Sequence, residues 1–306
     1  AIGKDAMLQN VAADRNVAVG LGSLQNMTSA TTTDSYNVGV GYASGGSITS
    51  GSGNNLIGGL AGDAITTGSE NTALGRSALG AEVEGGRNIA IGHRSLASQN
   101  TTSFAYNLAV GYNAGVNITT GTLNTIVGSN AGDALTTAAH NTVLGYQALS
   151  AEDTDGFNTA IGFQTLLVQD GASLNTAVGY KAGDSVTDGG NNTLIGGNAG
   201  DAITSGVNNV CVGQGSGKVL TTGNNNVYIG RDIDASASGA TNEISIGEAS
   251  VGNGNNTVTL GNSSVSGLHC QVNSISALSD KRDKTNIENS EYGLNIIENL
   301  KPVIFE

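Results

Sequence analysis

The sequence predicts an all-β fold, a parallel β-solenoid wound from 17-residue coils, and three observations carry that expectation. A five-residue phrase recurs along the chain, the glycines that close it are evenly spaced, and the composition does not suit a compact ball. The 306 residues include 47 Gly, one Pro and no Trp, and only 4% are aromatic. Large aromatics usually dominate the buried area of a compact core, so this chain must bury small side chains in thin layers, as a stack does. With 38% hydrophobic against 12% charged residues, it also lacks the profile of a disordered chain. No Gly-X-Y triplet runs through it, which excludes a collagen helix.

The phrase reads Asn, any residue, small, aliphatic, Gly. It appears as NVAVG from Asn16, NTALG from Asn71, NIAIG from Asn88, NTVLG from Asn141, NTAIG from Asn158, NTAVG from Asn175, NTLIG from Asn192, NVCVG from Asn209 and NVYIG from Asn226. Between Gly3 and Gly247 the closing glycines leave fourteen intervals, twelve of them 17 residues long and the others 21 and 19. The extra residues fall in Ser/Thr-rich stretches, Asn26 to Ser35 and Asn100 to Phe104, which read as surface loops.

Strand side chains alternate between faces. The fourth slot is always a branched aliphatic residue, such as Val19, Ile57, Leu74 or Ile161, and is expected to fill the solenoid core. The third slot, mostly Ala (Ala18, Ala73, Ala90, Ala109, Ala160, Ala177), then points the other way. Since it is almost never polar, a second buried surface is expected there, because a strand side facing water should carry polar residues. The later half of each coil reads AGDAITTG from Ala61, AGDALTTA from Ala131, AGDSVTDG from Ala182 and AGDAITSG from Ala199. Turn, second short strand and Gly turn is the simplest reading, giving two strands per coil. Some fifteen coils at about 4.8 Å each would make a rod roughly 70 Å long. Ala1, Ile2 and Gly3 are already in phase with the repeat, so more sequence is expected before them.

Several candidate sites have a structural reading beside the chemical one. The Asn heading each coil is either a hydrogen-bonded ladder or a turn residue. Asp63, Asp133, Asp184 and Asp201 recur in the Gly-Asp pair, but one carboxylate per coil is a poor site for a hard cation, so they read as turn caps and no metal or other cofactor is expected. Cys211 and Cys270 are too few for a disulfide framework, and Cys211 stands in a strand slot as a small buried hydrophobe. Glu70, Glu82, Glu84, Glu152 and Asp153 form no recurring pair of the kind a glycosidase needs. Asn26, Asn100 and Asn117 sit in Asn-x-Ser/Thr sequons. A net charge of −13 disfavours nucleic acid as a partner, and neither a membrane-length apolar run nor a basic amphipathic helix is present.

The Ala/Val/Ile/Gly-rich NTAIG coil resembles the head repeats of trimeric autotransporter adhesins, although 17 residues is a longer period than theirs. That resemblance covers roughly residues 1 to 262. It implies three chains packed side by side, which would account for a second apolar surface. From about Gly267 the composition changes, with clustered charge and the only Pro, so the chain is divided into a shaft (1–266), a junction (267–278) and a different module (279–306). Leu294, Ile297 and Leu300 would share one helical face between Ser290 as cap and Pro302 as stop. SDKRDK at Ser279 to Lys284, followed by Asn286, Ile287, Gly293, Leu294, Leu300 and Pro302, resembles the start of the intramolecular chaperone domain of phage tail spikes and fibres, the S74 peptidase.

This second resemblance implies a small α+β module that assists trimerisation and then cuts itself off. Ser279 would be the nucleophile and Lys284 the base, with Asp280 and Arg282 in support and the scissile bond after Leu278. Only the first part of such a domain precedes Glu306. The function these resemblances imply is a phage tail fibre or spike shaft, a homotrimer in the virion that meets a host cell-surface glycan or protein. A bacterial surface adhesin or extracellular filament is the alternative, and a glycan-degrading spike a weaker third.

Overall fold

The computed structural model of the chain describes residues 1–28 and 34–269. Residues 1–264 form one compact unit, an all-β parallel solenoid with no helix among the described residues. Fifteen three-residue strands, β1 (Val17–Val19) through β15 (Val258–Leu260), make a single parallel sheet in which every strand pairs with its neighbours in sequence order. Equivalent slots pair without slippage: Thr176 lies beside Thr193 and Thr159, Ala177 beside Leu194 and Ala160. The 17-residue period therefore becomes one coil per strand. The last step, from Ile244 to Val258, is shorter.

Two expectations are corrected. Each coil holds one strand rather than two. Its later half is a stack of turns whose N–H groups still bond coil to coil, as from Thr49 to the Thr66 carbonyl (3.0 Å) and from Thr66 to that of Val83 (2.9 Å). The Thr hydroxyls double these rungs, Thr66 Oγ1 donating to the Val83 oxygen at 3.1 Å. Left-handed residues close the corners: in the coil after Gly58, Leu60 and Gly62 have φ of 60° and 55°, and Glu70, before the next strand, has 60°. Such turning is incompatible with a second extended run.

The second correction concerns the two strand faces. The third slot is the buried one and the fourth points outward: along the strands from Thr72 and from Ile89, Ala73 and Ala90 are buried while Leu74 and Ile91 are exposed or half-buried. The reason is the width of the coil. Its interior takes the third slot together with side chains from the later half three, four and seven residues past the closing glycine, the last two being the ones that vary most in size. In most coils with a Leu at the second of these positions, as at Leu79, Leu96 and Leu166, the third slot is Ala (Ala73, Ala90, Ala160), with Val143 before Leu149 the exception. Where that position is Gly62, a Cβ would come within 2.8 Å of Ile65 Cδ1 and 2.9 Å of Leu56 Cδ2, so the larger third-slot Leu56 has taken the space. The two coil types alternate in pairs: Met7 and Leu24, Gly45 and Gly62, Leu79 and Leu96, Gly115 and Gly132, Leu149 and Leu166, Gly183 and Gly200.

Two ladders hold the coils in register. Each closing glycine from Gly3 to Gly230 has φ between 124° and 144°, and a Cβ there would drive into the carbonyl oxygen of the next coil's glycine. The heading Asn is a true ladder. Asn124 Oδ1 accepts the N–H of Asn141 (3.0 Å), whose own Oδ1 accepts that of Asn158 (2.9 Å), while Asn124 Nδ2 donates across the coil to the Ala138 oxygen (2.9 Å). These amides are buried, so each must be satisfied in this way.

Candidate functional site

The feature that the fold leaves unpartnered is the outer face of the sheet. It is built from four positions of every coil. The second strand slot carries residues such as Val17, Ile89, Thr125 and Thr159, and the fourth Val, Ile or Leu throughout. Two flanking positions lie just before the ladder Asn and just after the closing Gly. Apolar residues exposed there include Ile57, Leu74, Ile89, Leu144, Ile195 and Ile229 on the strands, and Tyr36, Tyr112, Phe157 and Tyr180 on the flanks. β-branched residues suit an extended, half-covered surface, which keeps the face regular although it lies outside the core.

The flanks are ladders of their own. After the closing glycines, His93 stacks on Tyr112 (5.4 Å between centroids), Tyr146 on Phe163 (5.6 Å) and Phe163 on Tyr180 (5.5 Å). Before the Asn residues, His140 stacks on Phe157 at 4.7 Å. Charged flank residues are paired along the axis: Arg87 with Glu70 at 2.7 Å, Arg15 with Asp34, and Arg231 with Glu248. Arg76 meets only the His93 ring, at 2.9 Å, and Lys4 has no ionic partner among the described residues.

Beneath the outer face, the core contains buried polar groups that sequence reasoning assigned no place. Glu82 and Glu152 do recur, at the same position four coils apart, but inside the solenoid where other coils carry Ile or Leu. Each is bonded by a buried Gln of the next coil: Gln99 Nε2 to Glu82 at 3.0 Å and Gln169 Nε2 to Glu152 at 3.1 Å. The Gln oxygens accept from the ladder amides of Asn107 (3.0 Å) and Asn175 (2.9 Å). Burial raises the Glu152 pKa, opposed by the bonds from Gln169 and Asp155. The only available signal was an acidic residue followed one coil later by Gln, in place of an aliphatic pair. Glu243 takes the Asn place in its coil. Burial pushes its pKa up, but bonds from Ser236 N–H, the Tyr228 hydroxyl and Gly254 N–H outweigh that and leave it below the ordinary value.

Burial raises the pKa values of the Gly-Asp carboxylates Asp63, Asp133 and Asp184; Asp184 pairs with Lys181 at 3.5 Å, one buried oxygen of Asp133 has no hydrogen-bond partner, and Asp201 accepts from Asn198 Nδ2 at 3.1 Å. The one acidic cluster among the described residues with metal-ligand spacing lies elsewhere, at Glu152, Asp153 and Asp170. Cys211 is buried in its strand slot, where the thiol pKa is pushed up to about 12 by burial and then by Asp201. Among the described residues no helix is long and apolar enough to cross a membrane. Ser279, Asp280, Arg282 and Lys284, the bond after Leu278, Cys270 and the Leu294 to Leu300 segment lie outside the described residues. Compared with known proteins, the chain matches no family model, and no curated protein matches it.

Proposed function

We propose that the chain is the shaft of an extracellular fibre that assembles from copies of itself through the outer face of the sheet, as a homotrimer in a phage tail fibre or spike. The supporting observation is the unbroken fourth-slot row of Val, Ile and Leu, on an outer face whose second slot mixes aliphatic residues with Thr and Asn. Three-residue strands about 10 Å wide, stacked over some 67 Å, give a face of roughly 700 Å² before the flanks are counted, which approaches the roughly 800 Å² that each partner buries in a standard stable interface.

A second copy is the partner that fits. A face with a side chain every 4.8 Å or so along its axis is matched over its whole length only by an object with the same spacing, and the chain itself is such an object. Three pairs of flank charges are neutralised within each rod, which lowers their repulsion of a like surface. Three copies rather than two, and the setting in a virion, follow from the resemblance of the coils to trimeric adhesin heads and of Ser279–Lys284 to the tail-fibre chaperone. An adhesin on a bacterial surface is the alternative, distinguished by a signal peptide and membrane anchor in the complete gene. In either setting the fibre would carry or form a surface that touches a host glycan or protein.

The test is the migration of the unheated protein in SDS. An in-register assembly of long parallel β structure unfolds slowly. A band at three chain masses that collapses to one on boiling is expected; a single-chain band without heating, matched by a single-chain mass in light scattering, rejects the proposal.

A further inference from the structure

We infer that the Asn100–Phe104 insertion builds a binding site for a neutral hexopyranose. This deepens the attachment part of the fibre reading and rests on it. The two residues by which this coil exceeds 17 leave Thr102 and Ser103 exposed on the return limb as a lip between neighbouring coils. A trough lies on either side. One, of about 310 Å³, is lined by Thr67, Ser69, Glu84, Thr102, Ser103 and Phe104. The other, of about 210 Å³, lies between the lip and Thr120 and Thr122 of the next coil. The first reaches the size at which small-molecule sites begin, about 300 Å³.

The lip is held rigid from below. Buried Glu82 accepts the N–H of Thr101 (3.1 Å) and the N–H of Gly85 (2.8 Å). Thr101 Oγ1 donates in turn to the Ser103 carbonyl (2.9 Å). Backbone bonds from Asn100 to Thr119 (2.9 Å) and from Ala105 to Gly86 (3.1 Å) pin both ends. Burying a carboxylate is expensive unless it is fully bonded, and here the bonds it makes fix a surface feature. Preorganisation of this kind lowers the entropy lost on binding.

What the lip presents is specific in kind. Phe104 is 44% exposed. The Arg87 guanidinium covers one face of the ring, 4.0 Å from its centroid, and Tyr106 meets it edge-on at 6.2 Å, so a ligand would stack on the opposite face. Around the ring stand the Glu84 carboxylate and the Thr102 and Ser103 hydroxyls, none of which has a side-chain partner among the described residues. An aromatic surface beside one anionic acceptor and several hydroxyls suits a ligand with an apolar C–H face and a rim of O–H donors, because O–H bonds to a carboxylate are the strong ones. A single carboxylate is too little for a hard cation, and it repels an anion.

The test uses the full chain and saturation-transfer NMR with glucose, galactose, mannose, N-acetylglucosamine and their linear tetramers, with sialyllactose as the anionic probe. Expected is transfer to at least one neutral saccharide, weakened tenfold or more by Phe104→Ala and by Glu84→Gln and unchanged by Asp188→Asn on a limb without an insertion. Circular dichroism confirms that the variants fold. No neutral saccharide bound below about 10 mM, binding of sialyllactose alone, or binding that survives both variants would overturn the site. Light scattering on the same samples separates the two proposals: a trimer that binds no sugar removes only this site, and a monomer that binds removes only the assembly.

Discussion

At the scale of the residue, the closing glycine and the heading asparagine are fixed by backbone geometry. Gly128→Ala would place a Cβ against the Gly145 carbonyl at a φ of 142°. Loss of stability of about 3 kcal/mol or more is expected in chemical denaturation, at the severe end for one substitution. Asn141→Ala removes the acceptor for Asn158 N–H inside the core, with an expected loss of about 2–4 kcal/mol, since buried groups are left unpaired. Both residues were legible because they recur every coil. Leu79 and Leu96 in left-handed turns, at φ of 53° and 50°, were not, since Leu has no preference for that conformation and only burial imposes it.

The buried carboxylates carry opposite pH dependences. The folded-state pKa of Glu152 is raised, so the folded state binds the proton more tightly. Its contribution to stability falls as pH rises from the ordinary carboxylate value, about 4.3, through the folded one. The folded-state pKa of Glu243 is lowered, so its contribution is present above that ordinary value and disappears as pH falls through the folded one. Thermal melts should therefore show Glu243→Gln less stable than the parent at pH 7, with the deficit closing in acid. Glu152→Gln should gain on the parent as pH rises from 4 towards 7.

At the scale of the element, the period, the parallel stacking of coils and the surface position of Asn100 to Phe104 were readable, but the single strand per coil and the facing of that strand were not. Apolar residues in both the third and fourth slots made the alternation ambiguous. The deciding fact is in the turns, where Leu79 or the Leu56–Ile65 pair leaves no room for a second aliphatic row inside. Glu82 was equally hidden, because its meaning depends on Gln99 in the coil above. Gln99→Leu alone takes the amide donor from Glu82 and should cost about 1–3 kcal/mol in denaturant titrations, whereas Glu82→Leu with Gln99→Leu also leaves the Thr101 and Gly85 N–H groups without their acceptor and should cost more. Equal losses in the single and double variants would show that these backbone bonds to Glu82 contribute nothing.

At the scale of the whole molecule, near-identical coils raise the problem of register, since a shift by one coil preserves most contacts. Within the chain, the paired alternation of Leu and Gly coils and the two Glu–Gln pairs distinguish one coil from the next. Between chains, the proposed Ser279 module would do so during assembly. In the complete gene product a fragment beginning at Ser279 is then expected by mass spectrometry and should vanish in Ser279→Ala; no fragment in either would remove self-processing from the account.

The central claim, assembly through the outer face of the sheet, is tested most directly by the solution mass of the chain and of a variant with Val127→Asp, Ile161→Asp and Ile195→Asp together. These three outward fourth-slot residues lie two coils apart, outside the core. Light scattering should give three times the 30.4 kDa chain mass for the parent and one chain mass for the variant, with an unchanged circular dichroism spectrum. A parent that is a monomer at tens of micromolar, or a variant that remains a trimer, would contradict the account.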